Sequence, residues 1–425
     1  MKLRSISVLT VGLMLAGTTF AQHVYTLDEC IEAALQNNVR MKNAENDLKV
    51  AAHERKNAFT NYFPTLSASG GGFMSDKPVL DLELAPGMGL SMLKNGIVGG
   101  VSAAMPVFTG GQIVNGNKLA KENVEKYRLL RHQSEYEVEL TVENYFWQAV
   151  VAQEKLRTIA ALEKQLAQLT NDVTASVEAG VTTRNDLLQV QLRSNETLSA
   201  RLSAENACRL ARRLLAQYIG AGTDSIGIDF VLADSLPRNP GFLYTDPEEA
   251  LYRTDEYNLM NTDLRAKRIE HRISVGKNLP TVAVGGGYGY NNLLDKDCTS
   301  WIGFVTVSVP LSGWWGGAHD IKKHKLEIQS AENTLADGSD LLKLRMESTW
   351  DDLTDAYRNV EIAQVSISQS AENLRLNTDY YAAGTCSMSD LLEAQTLYRQ
   401  SRDRYVEAYA KYQIKKREYL QATGR

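Results

Sequence analysis

Residues 383–395, AGTCSMSDLLEAQ, echo residues 179–191, AGVTTRNDLLQVQ. Both read Ala-Gly, five residues, Asp-Leu-Leu, two residues, Gln, at an offset of 204. Gly180 and Gly384 suit the left-handed backbone of a tight helix–helix turn. Asp186 and Asp390 then fall at the start of the returning helix, where a carboxylate caps free amides and meets the helix dipole favourably. The leucines that follow begin an apolar seam. Each stretch therefore reads as the tip of a helical hairpin, written twice.

The arms of these hairpins are long. None of the nine prolines falls between 107 and 236 or after 310, and proline disrupts helix interiors. Val142, Tyr145, Ala149, Ala152, Leu156, Ile159, Leu162, Leu166, Leu169, Val173 and Val177 step by threes and fours, a coiled-coil seam over five heptads. A helix from about Lys118 to Glu178 would be roughly 90 Å long. It must line a bundle, a rod or a tube.

The duplication extends through the chain. Pro106 answers Pro310 at offset 204; Phe63-Pro64-Thr65 answers Leu279-Pro280-Thr281, and Ala34-Leu35 answers Ala250-Leu251, at offset 216. The two offsets differ by 12 residues, which must lie between the Pro-Thr and second proline landmarks. Those stretches are glycine-rich and partly alternating, and read as two β-hairpins, the first with the longer loop. Val282, Val284, Tyr288 and Tyr290 share one strand face, and Thr281, Ala283, Gly285, Gly287 and Gly289 the other. Segments 27–60 and 247–277 read as helices of about 30 residues, as do 187–220 and 391–422. The expected organisation is a signal peptide at 1–21, a first repeat at 22–220, a linker at 221–246 and a second repeat at 247–425, each repeat running helix, hairpin, long helix, tip, helix.

The signal peptide reading rests on Lys2 and Arg4, an apolar run through Ala16 and a small-residue site ending at Ala21. No later apolar run reaches the roughly 20 residues of a spanning helix, so an exported chain that enters a membrane must use strands. The formal charge of −5 carries no basic excess, which argues against a nucleic-acid partner. Cys30, Cys208, Cys298 and Cys386 are too scattered for a disulfide framework and are expected as free thiols.

Four strands cannot close a barrel, and open edges in lipid leave backbone groups unpaired at several kcal/mol each. Three copies give twelve strands and twelve helical columns. Trp301 and Trp314 are expected at opposite ends of the fourth strand, about 30 Å apart, at the heights of two aromatic girdles that would also take Trp315, Tyr288 and Tyr290.

Taken together, the signal peptide, duplicated halves, proline-flanked hairpins and paired tips resemble the outer-membrane efflux protein family, the TolC-like factors, from about Tyr25 to Ala422. The resemblance implies a mixed, mainly α fold. A trimer would form a long α-helical barrel continuous with a 12-stranded transmembrane β-barrel, four strands per protomer, in the outer membrane and extending into the periplasm. It implies an exit channel of a tripartite efflux or type I secretion system, with a periplasmic adaptor protein, an inner-membrane transporter and outer-membrane lipid as partners. It also places an acidic constriction at Asp390 and Glu393. Related channels often carry a basic residue where this chain has Cys386, so closure of the mouth is expected to rely on Arg184, Tyr381 and Asp390 or to be weaker, with Asp186 also among the entrance residues. The exposed tip residues Gly180, Val181, Thr182, Arg184, Gly384, Thr385, Ser387 and Met388 are expected to dock the adaptor. The rival expectation is a periplasmic coiled-coil scaffold without a pore.

No catalytic, cofactor or metal set stands out. His319 and His324 are five apart and do not share a helix face, GGGYG at 285–289 lacks the Lys-Ser/Thr of a P-loop, and there is no G-x-S-x-G. The expectation is a passive conduit, not an enzyme.

Overall fold

The computed structural model describes residues 24–425 apart from 78, 86–87, 93–94, 223–225, 231, 233–235, 293–296 and 312. The leader expected at 1–21 lies outside the described residues. In chain order come β1 (Val24–Tyr25), α1 (Leu27–Asn37), α2 (Val39–Thr60), β2 (Thr65–Met74), β3 (Leu80–Ala85), β4 (Met88–Met92), β5 (Asn95–Thr109), α3 (Gln112–Glu178) and α4 (Arg184–Ile219). Then follow β6 (Gly227–Ile228), α5 (Pro247–Ala250), α6 (Asp255–Lys277), β7 (Thr281–Asn291), β8 (Cys298–Ser308), α7 (Gly313–Ala382) and α8 (Met388–Ala422).

The long helices are continuous: α3 has 67 residues and α7 has 70. The seam read from the sequence is the packed stripe of α3. Val142, Ala149, Ile159, Leu162, Leu166 and Val173 are buried, and the intervening seam positions are half-buried. No described helix is long and apolar enough to cross a membrane.

The shorter helices depart from expectation. Segment 27–60 breaks at Asn38 and segment 247–277 at Thr254, positions related by the same offset of 216. Both residues have extended backbone, with ψ of 137° and 141°. Asn38 turns its amide to the carbonyl of Tyr218 at 3.0 Å, while the buried Thr254 caps α6. Short polar side chains that bond nearby backbone offer the chain an alternative to helix, and the duplication keeps that break in both copies. The long loop of the first hairpin also holds a further small hairpin, β3 with β4, that periodicity did not show.

By packing the chain divides into two units, and both repeats contribute to each. One contains residues up to Asn38, Thr141–Pro237 and Arg358–Ile414. Its core includes Phe146 and Trp147 of α3, with Phe230 and Tyr409 packed edge-on or tilted against Trp147 at 5.0 and 5.7 Å between ring centroids. Part of the linker adds to this unit a two-residue parallel ladder, β1 with β6, which buries Ile226 and Ile228.

The other unit contains Val39–Leu140, Arg238–Tyr357 and Lys415–Arg425. It holds a four-stranded antiparallel sheet in the order β2-β5-β7-β8. The two hairpins meet through β5 and β7, which leaves β2 and β8 as the outer strands. Where β5 leads into α3, Gly110 has φ +62° and lies against the end of α6 at Gly276. A Cβ on either glycine would run into the other's carbonyl. Gly110→Val is expected to cost about 2–4 kcal/mol from strain and displacement together, read as a fall in the heat-dissociation temperature of the purified protein.

Candidate functional site

Two regions carry the functional features: the sheet and the paired tips. The register sorts the sheet into two chemically distinct faces. Directly opposed residues share a face, so Leu66, Val101, Tyr288 and Trp301 stand with Val284, Val305 and Val307 on one side. These are exposed, Trp301 by 81% and Val305 by 69%. The other side carries Thr65, Ser67, Ser102, Gly287, Ser300 and Thr306, with the Ser67 and Ser102 hydroxyls bonded at 2.8 Å. This mainly small or polar face also carries Phe73, Ile302 and Phe304, and the Phe304 ring covers Gly285, its partner across the β7–β8 register. Such a bare apolar face backed by a small, polar one is unusual for a sheet facing water.

Of the girdle residues, Trp301 and Tyr288 are paired across β7 and β8, and Tyr290 bonds Asp297 at 2.7 Å. Trp314 is not at a strand end: β8 stops at Ser308 and Trp314 is the second residue of α7. The strand is shorter because Pro310 cannot donate a ladder bond, and the helix takes over three residues later. Trp315, one residue on, is 72% exposed.

The tips are the same structure twice. Gly180 and Gly384 have φ +71° and +72°. Val181 N donates to Ser176 O and Thr385 N to Tyr380 O, both at 2.9 Å, while each glycine bonds the carbonyl three residues before it. That is a Schellman closure, which only a left-handed residue permits without strain. Thr183 and Ser387 follow as N-caps. Asp186 and Asp390 occupy the third helical position and reach back to the cap amides, at 3.3 and 2.9 Å, completing two capping boxes.

Those bonds favour the ionised acids. The hydroxyls of Thr182 and Thr183 hold the Asp186 carboxyl below its ordinary range, and Ser387 does the same for Asp390. A depressed carboxylate stabilises the fold above its unfolded value and loses that contribution as pH falls through the lowered one. The tips are therefore expected to stay capped at neutral pH and to loosen only below about pH 4. Thr183→Ala is expected to cost about 0.5–2 kcal/mol of local stability, measured as faster tryptic cleavage after Arg184 at pH 7.

The two tips share a core. Val173 of α3, Val190 of α4, and Met388 and Leu391 of α8 are buried together, with Leu374 and Tyr381 of α7 packed on them. Met388 is 1% exposed and so is not a docking residue. As the first helical residue it turns inward onto Val173, a direction its sequence spacing did not reveal. Val181, Arg184, Thr385 and Ser387 are exposed, while Thr182 is half-buried.

Thr182 donates to Asp186 at 2.6 Å. The Tyr381 phenol of the second tip lies beside this pair of the first, and burial raises its pKa. Asp390 and Glu393 are exposed beside it. Cys386 is half-buried, with its thiol on the carbonyl of Asn377 at 3.4 Å and its pKa raised by burial and by Asp390. All four cysteines are free thiols.

Residues 30–221 match the family described as outer membrane efflux protein. Over that stretch, rather less than half of its 425 residues, the chain resembles the family. Solved structures share the fold across nearly the whole chain. A membrane protein from Pseudomonas aeruginosa is 15% identical, with 94% of this chain and 90% of that one covered and a TM-score of 0.78. CusC, described in terms of folding and transmembrane channel formation, is 14% identical, with 94% and 92% covered and a TM-score of 0.80. The Campylobacter jejuni CmeC outer membrane channel is 14% identical, with 94% and 85% covered and a TM-score of 0.77. No curated protein matches the sequence.

One side-chain cluster escaped the sequence reading. Glu270 of α6 and His324 and Glu327 of α7 bring one donor atom each within 4.8 Å of one another. His324 is half-buried, and its Nδ1 lies 3.0 Å from Glu327. Lys267 already neutralises Glu270 at 3.0 Å, which makes the group an interhelical ion-pair network.

Proposed function

We propose that the chain is an outer membrane efflux protein, three copies of which close into one exit channel, the sheet in the outer membrane and the tips at the periplasmic mouth. The supporting observation is the four-stranded sheet, apolar on one face and small or polar on the other, with β2 and β8 on the outside. About half the backbone groups of each outer strand point to the free edge, and each costs several kcal/mol in lipid. Pairing β8 of one copy with β2 of the next removes that cost and places the apolar face toward lipid. At about 3.3 Å per residue, the 11 residues of β8 tilted near 45° span about 25 Å, the height of an outer-membrane apolar band. A pore-less periplasmic scaffold would leave Trp301, Val305 and Val307 in water without a role.

The two tips of three protomers would present six similar grooves, formed by Val181, Arg184, Thr385 and Ser387 around Gly180 and Gly384, to a periplasmic adaptor. The adaptor would join the channel to an inner-membrane transporter, which supplies the energy. Asp390 and Glu393 from three copies would ring the mouth with six carboxylates and favour cations.

The test is extraction of the full-length protein from outer membranes, followed by unheated gel electrophoresis and planar-bilayer recording. A heat-modifiable trimer with cation-preferring conductance is expected. A water-soluble monomer without conductance would overturn the reading.

A further inference from the structure

Beneath the sheet lies a basic stripe that is written in both repeats. Lys118 and Lys121 of α3 are answered by Lys322 and Lys325 of α7 at offset 204. Arg55 and Lys56 of α2 are answered by His271 and Arg272 of α6 at offset 216. All are exposed except His271, which is half-buried. Among the described residues none of the eight forms an ion pair. Other cations of the same unit are engaged: Arg128 with Glu125, Arg131 with Glu45, and Arg265 with Glu122, at 2.7, 3.0 and 2.9 Å. In a chain of net charge −5, seven unpaired lysines and arginines, with His271 at the eighth duplicated position, call for an anionic neighbour.

Their height points to its nature. The four helices leave the sheet at one end, where α2 stops at Thr60, α3 starts at Gln112, α6 stops at Lys277 and α7 starts at Gly313. The basic groups sit 4–12 residues from those points. That is about 6–18 Å of helix, and long cationic side chains extend toward an interface. A bilayer adds about 5–8 Å of headgroup region on each side of its hydrocarbon.

Their surroundings point the same way. In the first repeat the cations line an open groove of about 630 Å³ together with Phe59, Tyr62 and Val114. Phe59 packs edge-on against Tyr62 and Phe63, and all three rings are exposed. Aromatic rings above cations are the pattern of a membrane interface. The acids four residues on from Lys118 and Lys121, Glu122 and Glu125, are already paired with Arg265 and Arg128. Asn123, bonded to Glu54 at 3.0 Å, is about 200° round α3 from Lys121, and its counterpart across the repeat is the acid Glu327.

We infer that this groove holds anionic phospholipid of the periplasmic leaflet, phosphates on the lysines and acyl chains rising past Phe59 and Tyr62 along the sheet, with the second-repeat stripe as its basic counterpart. The inference rests on the channel reading above, which places the sheet in the membrane. One groove and one further basic stripe per protomer would give the trimer a belt.

Native mass spectrometry of the full-length protein in detergent, with cardiolipin, phosphatidylcholine and inorganic phosphate as separate probes, tests this. Cardiolipin is expected to be retained at least about tenfold more tightly than phosphatidylcholine, and millimolar phosphate should not displace it. The quadruple variant Lys118→Gln, Lys121→Gln, Lys322→Gln, Lys325→Gln should lower cardiolipin affinity about thirty-fold per groove, whereas the matching Lys→Arg variant should keep it. The substituted side chains are exposed, and retention of the heat-modifiable band checks folding. Equal displacement by phosphate would mean a free-anion site and overturn the inference. So would a glutamine variant that keeps its lipid but shifts its reversal potential further toward cations, which would place the stripe in the lumen. In both cases conductance survives and the channel reading stands; a protein that never conducts fails that reading first, and the lipid belt with it.

Discussion

Val305→Arg is expected to cost about 2–4 kcal/mol per protomer and to abolish assembly of the trimer in the outer membrane, whereas Thr306→Arg, one residue along the same strand, should assemble normally. Both side chains are exposed in the protomer. If the sheet faced water on both sides, either substitution would sit within about 0.5 kcal/mol of neutral. The difference arises because Val305 shares the face of Val284, Val307 and Trp301, while Thr306 shares that of Ala283 and Ser300. An arginine toward lipid must shed its hydration or drag water with it; one toward a lumen keeps its water. The yield of heat-modifiable trimer from the membrane fraction reads the contrast directly. Equal behaviour of the two variants would contradict a one-sided lipid contact.

Tyr381→Phe should raise single-channel conductance or open probability several-fold. The Tyr381 phenol of the second tip packs on the shared core of Val173, Val190, Met388 and Leu391, beside the hydrogen-bonded pair Thr182–Asp186 of the first tip. Removing one phenolic hydroxyl leaves that core intact. It forfeits the polar contact that the phenol can make at a closed mouth, about 0.5–1.5 kcal/mol in each protomer for one hydrogen bond, and three such losses shift a closed–open balance by roughly tenfold or more. Thr182→Val should act in the same direction, since it removes the hydroxyl that holds Asp186. Arg184→Ala is the control: Arg184 is exposed and makes no ion pair among the described residues, so its variant changes conductance only through contacts with a neighbouring protomer. Recording all three in planar bilayers at neutral pH, where both tip acids are ionised, separates a latch within the protomer from one between protomers.

The tips were legible because their chemistry is local. Glycine with positive φ, a hydroxyl three residues on, and an aspartate three after that make a Schellman closure and a capping box from neighbours in sequence. What escaped was direction. Met388 belongs to the same local motif, yet the packing of four helices turned it inward. Thr182 looked like a free tip residue until the fold brought Tyr381 to it from about 200 positions away. The same holds for Glu270, His324 and Glu327, where two glutamates with no motif of their own meet a histidine across two helices.

The sequence by itself determined the duplication, the long helices, the glycine tips and the presence of two hairpins, because periodicity, proline placement and turn chemistry act over a few residues. Only the tertiary structure decided that β5 pairs with β7 to join the repeats, that the helices break at Asn38 and Thr254, and which sheet face each residue takes. Those outcomes depend on register and on side chains arriving from distant segments, and a shift of one residue would have turned every strand side chain to the opposite face.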